Sequence, residues 1–213
     1  MSLRKTTFLK NTYYHVFSRG NHQSPIFFER RDYQRFLDKL KFYKDQFHVS
    51  IINWSLPGNH FHLLAVSDKE DSGLPKMLQC LLNSHAHYIS LKRSLPGHLF
   101  GGPFKVKPVL DEPSFLQVFR YICLQPVKER ISEPSFIVSG RETRNLSQNR
   151  QLLKELRSFA WGGYREYLNP TKDDLSSKEP IFTLLGDTSG VRRFVEAKIT
   201  RDDLLEFDAL ERP

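Results

Sequence analysis

A short apolar strand with two histidines constrains the fold of this chain more than any other segment. His60 and His62 lie in the run NHFHLLAV at 59–66. The preceding run at 49–56 has strand-like alternation, and Pro57-Gly58-Asn59 between the two runs is typical of a hairpin turn. Because side chains of a strand alternate between its two faces, both imidazoles are expected on one face of a sheet. Two imidazoles on one face can bind a single metal ion.

A second histidine pair has the same spacing but a different meaning. His85 and His87 lie in the segment 74–93, which has helical periodicity. Residues i and i+2 of a helix diverge by about 200°, so these two rings cannot bind one ion together. We therefore expect His85 to face the core or the site and His87 to be exposed.

The order of predicted elements indicates the fold class. They are a strand at 13–18, a helix at 31–47, strands at 49–56 and 60–66, a helix at 74–93, a strand at 104–110 and a helix from about 113 to 125. The order β-α-β-β-α-β predicts an α+β, ferredoxin-like split βαβ fold, in which an antiparallel sheet carries its helices on one face.

The remainder of the chain is predicted to be mostly helical. A polar segment at 132–149 has the composition of a linker, and helical spacing returns at 151–168 and 191–197 around a loop at 171–180. These patterns predict a first domain at 1–131 and a helical C-terminal extension at 132–213.

The third predicted helix places a phenol and an amide one turn apart. Its apolar stripe consists of Phe115, Val118, Phe119 and Ile122. Gln117, Tyr121 and Gln125 form a separate line at i, i+4 and i+8, which predicts that Tyr121 lies apart from the core. A phenol with a pKa of about 10 is a weak nucleophile, and a divalent ion that polarises a phosphodiester would assist its attack.

Charge favours an anionic partner for the chain. Its 32 Lys and Arg residues outnumber 24 Asp and Glu residues, for a net charge of +8 among 213 residues. We find neither an apolar run of membrane-spanning length nor a signal-peptide core, and Cys80 and Cys123 do not suggest a disulfide framework. A cytoplasmic protein with no membrane partner is expected.

These motifs together resemble the single-tyrosine transposases of the HUH nuclease superfamily, most closely the REP-associated tyrosine transposases of bacteria. The resemblance extends from about residue 14 to residue 131. It consists of YHVFSRGN at 14–21, Asp32-Tyr33, NHFHLL at 59–64, GHLF at 97–100 and RYICLQPV at 120–127. It implies that the domain at 1–131 is a catalytic domain of this type, in a nucleoid-associated bacterial protein that acts as a monomer or homodimer.

The resemblance also implies a set of site residues. Tyr121 is the expected nucleophile, which forms a 5′-phosphotyrosine on single-stranded DNA, and hairpin-forming repeats are the expected substrate. His60, His62 and Gln125 are the expected ligands of a divalent ion, Mg²⁺ or Mn²⁺. An amide oxygen would be a poor third ligand for zinc.

DNA contacts are expected from basic and polar residues near these motifs. The candidates are Arg19, Asn21, Lys92, Arg93, Lys105, Lys107 and Arg120. The chain departs from the family pattern at residues 101–103, where no arginine precedes Phe104, at Cys123, where histidine is common, and at Gln125, which replaces asparagine.

Two other functions remain open at this point. One is a nickase of the relaxase or replication-initiator kind, and the other is a DNA-binding protein that has kept the fold without catalysis. The acidic residues at 202–211 are expected to compete with DNA for the basic surface.

Overall fold

The first seven helices and strands follow the order that the sequence predicts. The computed structural model describes residues 7–70, 73–128, 137–139, 142–143, 150–197 and 209–210. The elements are β1 (Tyr13–Arg19), α1 (Arg30–Gln46), β2 (Val49–Ser55), β3 (His60–Ser67), α2 (Leu74–Arg93), β4 (Lys105–Val109) and α3 (Glu112–Leu124). Four of them form a sheet with strand order β2-β3-β1-β4, in which β1 is antiparallel to β3 and to β4. The predicted α+β fold with an antiparallel sheet is confirmed.

The chain divides into two compact units. The first contains residues 1–51 and 58–111, and the second contains residues 52–57 and 112–213. The strand β2 therefore begins in the first unit and ends in the second. The predicted boundary at residue 131 differs from this division, because α3 groups with the C-terminal part of the chain.

Strand register in the first unit defines one face of the sheet. His62 lies opposite Phe17 of β1, and His60 lies opposite Arg19. On the other side of β1, Lys105 is opposite Phe17 and Lys107 is opposite His15. Residues directly opposite each other share a face, so the predicted shared face of the two histidines is confirmed. We call it the histidine face and define it by His15, Arg19, His60, His62, Lys105 and Lys107.

The opposite face of the sheet is covered by helices. Phe61 of β3 packs against Phe36 of α1, with ring centroids 5.7 Å apart. Phe36 also contacts His85 of α2 at 5.1 Å. Since these three residues are fully or almost fully buried, they form the centre of the core in this unit, and α1 and α2 lie on one face as predicted.

The second unit is built around α3. After the 3₁₀ turn Gln125–Val127, its helices are α4 (Arg150–Ser158), α5 (Tyr164–Leu168), α6 (Glu179–Leu185) and α7 (Thr188–Val195), and the short strands β5 (Ile137–Ser139) and β6 (Glu142–Thr143) pair. The Phe119 ring meets Tyr167 edge to face, with centroids 4.9 Å apart. The Asn53 side chain donates to the Phe119 carbonyl at 3.1 Å, so α3 is bonded to the end of β2.

The predicted single helix at 151–168 is wrong, because the structure divides it into α4 and α5. The Leu56 amide donates to the Trp161 carbonyl at 2.8 Å, and the Gly163 amide donates to the Trp54 carbonyl at 2.8 Å. These bonds hold residues 161–163 against the end of β2 instead of in a helix. A Cβ atom at residue 163 would lie 2.7 Å from Asn53 Oδ1, so this approach requires glycine.

Other predictions for the C-terminal part have mixed outcomes. The helix α6 begins at Glu179, inside the predicted loop, with Pro180 in its first turn, where proline is favoured. Most of the predicted linker at 132–149 and the acidic residues at 202–208 and 211 lie outside the described residues.

Cys80 and Cys123 are both free thiols. Within the described residues, we find no helix both long enough and apolar enough to cross a membrane.

Candidate active site

The turn before His60 is held by the segment that follows β1. The Gly20 amide donates to the Asn59 carbonyl at 2.8 Å, and the Ile26 amide donates to the Gly58 carbonyl at 2.9 Å. A Cβ atom at residue 20 would lie 1.9 Å from the Ser24 carbonyl oxygen, so only glycine permits this path. These contacts fix the turn from which His60 projects.

The ring of His60 is oriented by its neighbour. Its Nδ1 lies 2.6 Å from Asn59 Oδ1. Because an amide oxygen only accepts hydrogen bonds, His60 Nδ1 carries the ring proton and donates it. The other nitrogen, Nε2, then has the lone pair that a metal ion requires.

The ring of His62 has a partner that the sequence did not indicate. Its Nδ1 lies 3.0 Å from Nε2 of His15 on β1, and both side chains are buried. The rings of His60 and His62 have centroids 5.1 Å apart and are nearly perpendicular, at 86°. The alternation of side chains along β1 could have predicted which face His15 lies on, but only the pairing of β1 with β3 brings its ring next to His62.

These residues fit a divalent metal ion. Both histidines share one face, and both have Nδ1 in a hydrogen bond, as metal-binding histidines commonly do. Among the described residues, no group of three or more His, Cys, Asp or Glu side chains is arranged to hold a metal. Within its own unit, the histidine face therefore offers two imidazoles as ligands.

The second histidine pair is arranged as predicted. His85 is buried, and His87 is exposed. The His85 Nε2 donates to the Ile26 carbonyl at 2.8 Å. Burial lowers the pKa of His85 to about 4, so this ring is neutral at pH 7 and supports the core.

Three of the predicted DNA contacts lie on the histidine face. Arg19 and Lys105 are exposed, and Lys107 is half-buried. Asn21 lies elsewhere, in a groove of about 690 Å³ between α2 and the segment 98–104. The groove has exposed Asn83 on one wall and half-buried Phe104 on another. Amides and aromatic rings are the groups that contact unpaired bases.

Lys92 and Arg93 are engaged with the beginning of α1. The Lys92 ammonium group forms ion pairs with Glu29 and Asp32. These hydrogen bonds raise the pKa of Lys92, so it stays charged. Arg93 approaches Glu29 at 3.8 Å, and its guanidinium group lies 4.7 Å from the centroid of the Phe28 ring. The geometry favours a structural role for both residues, which the sequence did not indicate.

Asp32 connects this ion pair to the helix cap. It is fully buried, and its carboxylate accepts hydrogen bonds from the backbone amides of Phe28 and Glu29 at 2.9 and 3.1 Å. Burial alone would raise the pKa of Asp32, but the hydrogen bonds, foremost that from Lys92, lower it below its usual value. A lowered pKa means that ionised Asp32 stabilises the folded state above about pH 3.8, and that this contribution is lost as the pH falls through the folded-state pKa.

We expect Asp32→Asn to lower the free energy of unfolding by roughly 2–3 kcal/mol at pH 7, because it weakens a helix cap and a buried charged hydrogen bond. The measurement is urea unfolding followed by circular dichroism. Asp38→Asn is the matched control, since Asp38 is exposed on the same helix, and should change stability by less than about 0.5 kcal/mol. The difference in the free energy of unfolding between Asp32→Asn and the wild type should become smaller below about pH 4. An equal effect of both substitutions would contradict the assignment.

Tyr121 and Gln125 lie in the second unit. Tyr121 is fully buried, and Gln125 is 7% exposed. The prediction that Tyr121 lies apart from the core is therefore wrong, because every residue from Val118 in α3 to Gln125 in the following 3₁₀ turn is buried. The Lys128 ammonium lies 5.4 Å from the centroid of the Tyr121 ring.

Arg120 also has a structural contact within the second unit. Its Nη2 donates to the Ala197 carbonyl at 3.0 Å, and its guanidinium group lies 5.8 Å from the centroid of the Phe194 ring. With 8% of its surface exposed, Arg120 joins α3 to the end of α7. A contact between Arg120 and DNA stays a prediction.

Comparison with known proteins identifies the fold. No protein-family profile and no curated protein matches the sequence. The chain is similar to the solved structure of a REP-associated tyrosine transposase bound to a REP hairpin, with a TM-score of 0.58 and 13% identity over 80% of this chain and 87% of that chain. A candidate transposase from Deinococcus radiodurans gives a TM-score of 0.40 and 15% identity over 56% of this chain and 95% of that chain. The first similarity shows that this chain has the fold of that solved structure.

Proposed function

We propose that this protein is a metal-dependent endonuclease and strand transferase for single-stranded DNA, a transposase that acts on hairpin-forming repeats. The observation that carries the proposal is the pair His60 and His62, which lie on one face of the sheet and each have Nδ1 in a hydrogen bond. The fold supports it, because the solved transposase of the same fold is bound to a hairpin. The exposed cations of the histidine face are suited to phosphate groups.

The proposed reaction is a transesterification that conserves the phosphodiester bond energy. The Tyr121 oxygen attacks the phosphorus atom and forms a bond to it, and the hydroxyl proton of Tyr121 passes to solvent. The bond from phosphorus to the 3′ oxygen breaks, and this oxygen takes up a proton to become a free 3′-hydroxyl. The product is a 5′-phosphotyrosine, which a second 3′-hydroxyl can attack to rejoin the strand without a nucleotide cofactor.

The metal ion in this proposal is Mg²⁺ or Mn²⁺. His60 and His62 would hold it, and Gln125 would supply an amide oxygen as a third ligand, as the family motif implies. A bound divalent ion would polarise the scissile phosphate and offset the charge that develops during attack. A ligand set of two imidazoles and one amide oxygen leaves coordination positions open for phosphate oxygens.

One observation favours a second function, that of a DNA-binding protein without cleavage. The Tyr121 side chain is fully buried, so its hydroxyl group must become accessible before it can attack a strand. A DNA-binding protein that has kept the fold but not cleavage would not need to expose the Tyr121 hydroxyl group. The two functions differ in whether a covalent adduct forms.

The deciding experiment is incubation of the protein with a single-stranded hairpin oligonucleotide and Mn²⁺. A 3′-end label should appear in a protein-linked band on a denaturing gel, and a 5′-end label should appear in a shorter free strand. A chelator and a fully duplex oligonucleotide are the controls, and both should prevent the reaction. Binding of the hairpin without any adduct would instead establish the second function.

We expect Lys105→Ala to weaken binding of single-stranded DNA for all sequences alike and to reduce the slope of log affinity against log salt by about 0.7, since one phosphate contact is lost. Lys105 is exposed at the edge strand β4. Fluorescence anisotropy over a series of salt concentrations measures both quantities. Lys172→Ala removes the same charge from an exposed loop and should leave the slope unchanged. Equal slopes for both variants would exclude a phosphate contact at Lys105.

A further inference from the structure

The ring of His15 meets the ring of His62 edge to edge within the sheet. The planes of the two imidazoles differ by 16°, and their centroids are 5.2 Å apart. The facing nitrogens, Nε2 of His15 and Nδ1 of His62, are only 3.0 Å apart. Since this distance is much shorter than the centroid separation, the nitrogens point at each other, as an in-plane N–H···N hydrogen bond requires.

Packing holds His15 in this orientation. Its side chain is fully buried. The ring stacks on Phe17, two residues along the same strand, at a centroid distance of 5.0 Å and an angle of 28°. Phe17 in turn stacks on His62 at 5.7 Å. The three rings form one packed layer on the histidine face, so His15 has little freedom to turn away.

Only one direction of this hydrogen bond is compatible with a metal ion on His62. If His15 Nε2 donates, His62 Nδ1 accepts and the proton of the neutral His62 ring is on Nε2. If His62 Nδ1 donates, Nε2 of His62 has the lone pair and can bind an ion. The same logic applies to His60, whose Nδ1 must donate to the Asn59 oxygen. Both histidines then present Nε2.

We propose that His15 is a positioning residue that holds His62 in the tautomer and orientation that bind the divalent ion. The proposal rests on the proposed function for the identity of the ion, but its effect on the His62 ring can be measured without metal or DNA. His15 acts through His62 and is not a third ligand. Loss of such a partner typically weakens metal affinity by about 10- to 100-fold.

Two substitutions separate the hydrogen bond from packing. His15→Phe keeps a buried aromatic ring but removes the acceptor, and His15→Gln keeps an amide oxygen that can accept from His62 Nδ1. We expect His15→Phe to weaken Mn²⁺ binding about 10-fold or more, measured by electron paramagnetic resonance on the full chain without DNA. His15→Gln should restore most of the affinity. Circular dichroism and the urea midpoint check that each variant folds.

A spectroscopic readout tests the tautomer directly. In ¹⁵N-histidine-labelled protein without metal, the two-bond ¹H–¹⁵N spectrum should show His62 protonated at Nδ1, and His15→Phe should shift His62 toward protonation at Nε2. His62→Ala assigns the signals. Unchanged Mn²⁺ affinity and an unchanged His62 tautomer in folded His15→Phe would overturn the proposal. If the wild type does not bind Mn²⁺, the proposed metal-dependent function is wrong. The tautomer spectrum alone then decides whether His15 keeps the proton of His62 on Nδ1.

Discussion

Tyr121→Phe should eliminate the covalent adduct between protein and DNA while leaving the fold and DNA binding in place. The substitution removes only the hydroxyl oxygen, which is the proposed nucleophile. Loss of a general acid or base would lower the rate by roughly 10²–10⁴-fold and leave some product. Loss of the nucleophile leaves no route to the adduct at all. The measurement is the denaturing gel with a 3′-end-labelled hairpin and Mn²⁺, followed by mass mapping of the linked peptide in the wild type.

Tyr167→Phe is the matched control for this experiment. Tyr121 and Tyr167 are both fully buried in the second unit. The Tyr167 hydroxyl donates to the Ile52 carbonyl at 2.6 Å, so its removal should cost about 1 kcal/mol of stability and preserve the adduct. An adduct that persists in Tyr121→Phe, or a linked peptide that maps to Tyr13, Tyr14 or Tyr88, would show that the nucleophile is elsewhere.

Alanine at His60 or at His62 should lower Mn²⁺-dependent cleavage by about 10²-fold or more. Metal ions stabilise the charge of such transition states by several kcal/mol, and each 1.4 kcal/mol corresponds to about tenfold in rate. Binding of single-stranded DNA should change much less, because it depends mainly on phosphate contacts. Cleavage rates over a range of Mn²⁺ concentrations and anisotropy with the same oligonucleotide measure the two effects separately.

His87→Ala is the control for the histidine variants. His87 has the same spacing from His85 as His62 has from His60, but it is exposed on α2. Its replacement should leave both cleavage and binding unchanged. Since His62 is buried, a urea midpoint close to that of the wild type is required before its activity is interpreted. Equal loss of activity in His87→Ala and His60→Ala would mean that the metal site has been assigned to the wrong residues.

Local patterns were sufficient for much of the fold. The alternation around His60 and His62 predicted a strand with both rings on one face, and helical spacing around His85 predicted one buried and one exposed ring. Both predictions are confirmed. Each depends only on the period of the backbone, which is a property of the segment itself.

Local patterns failed where another part of the chain competes for the same backbone or side chain. The run at 151–168 has helical spacing, yet residues 161–163 bond to the end of β2. Tyr121 has a glutamine four residues before it and another four residues after it, yet its side chain is fully buried. Spacing along a helix cannot predict burial on several sides at once, because the burial of each side depends on which other elements pack against it.

The sequence by itself determined the order of the first seven strands and helices, the shared face of His60 and His62, and the fold class. Periodicity, turn residues and motif order depend only on residues that are close together in the sequence, so they can be recognised without a structure. Only the tertiary structure decided that His15 meets His62, that Lys92 is paired with Asp32, and that Tyr121 is buried. Partners in these contacts are separated by 47 and 60 residues, and strand register and helix packing alone bring them together.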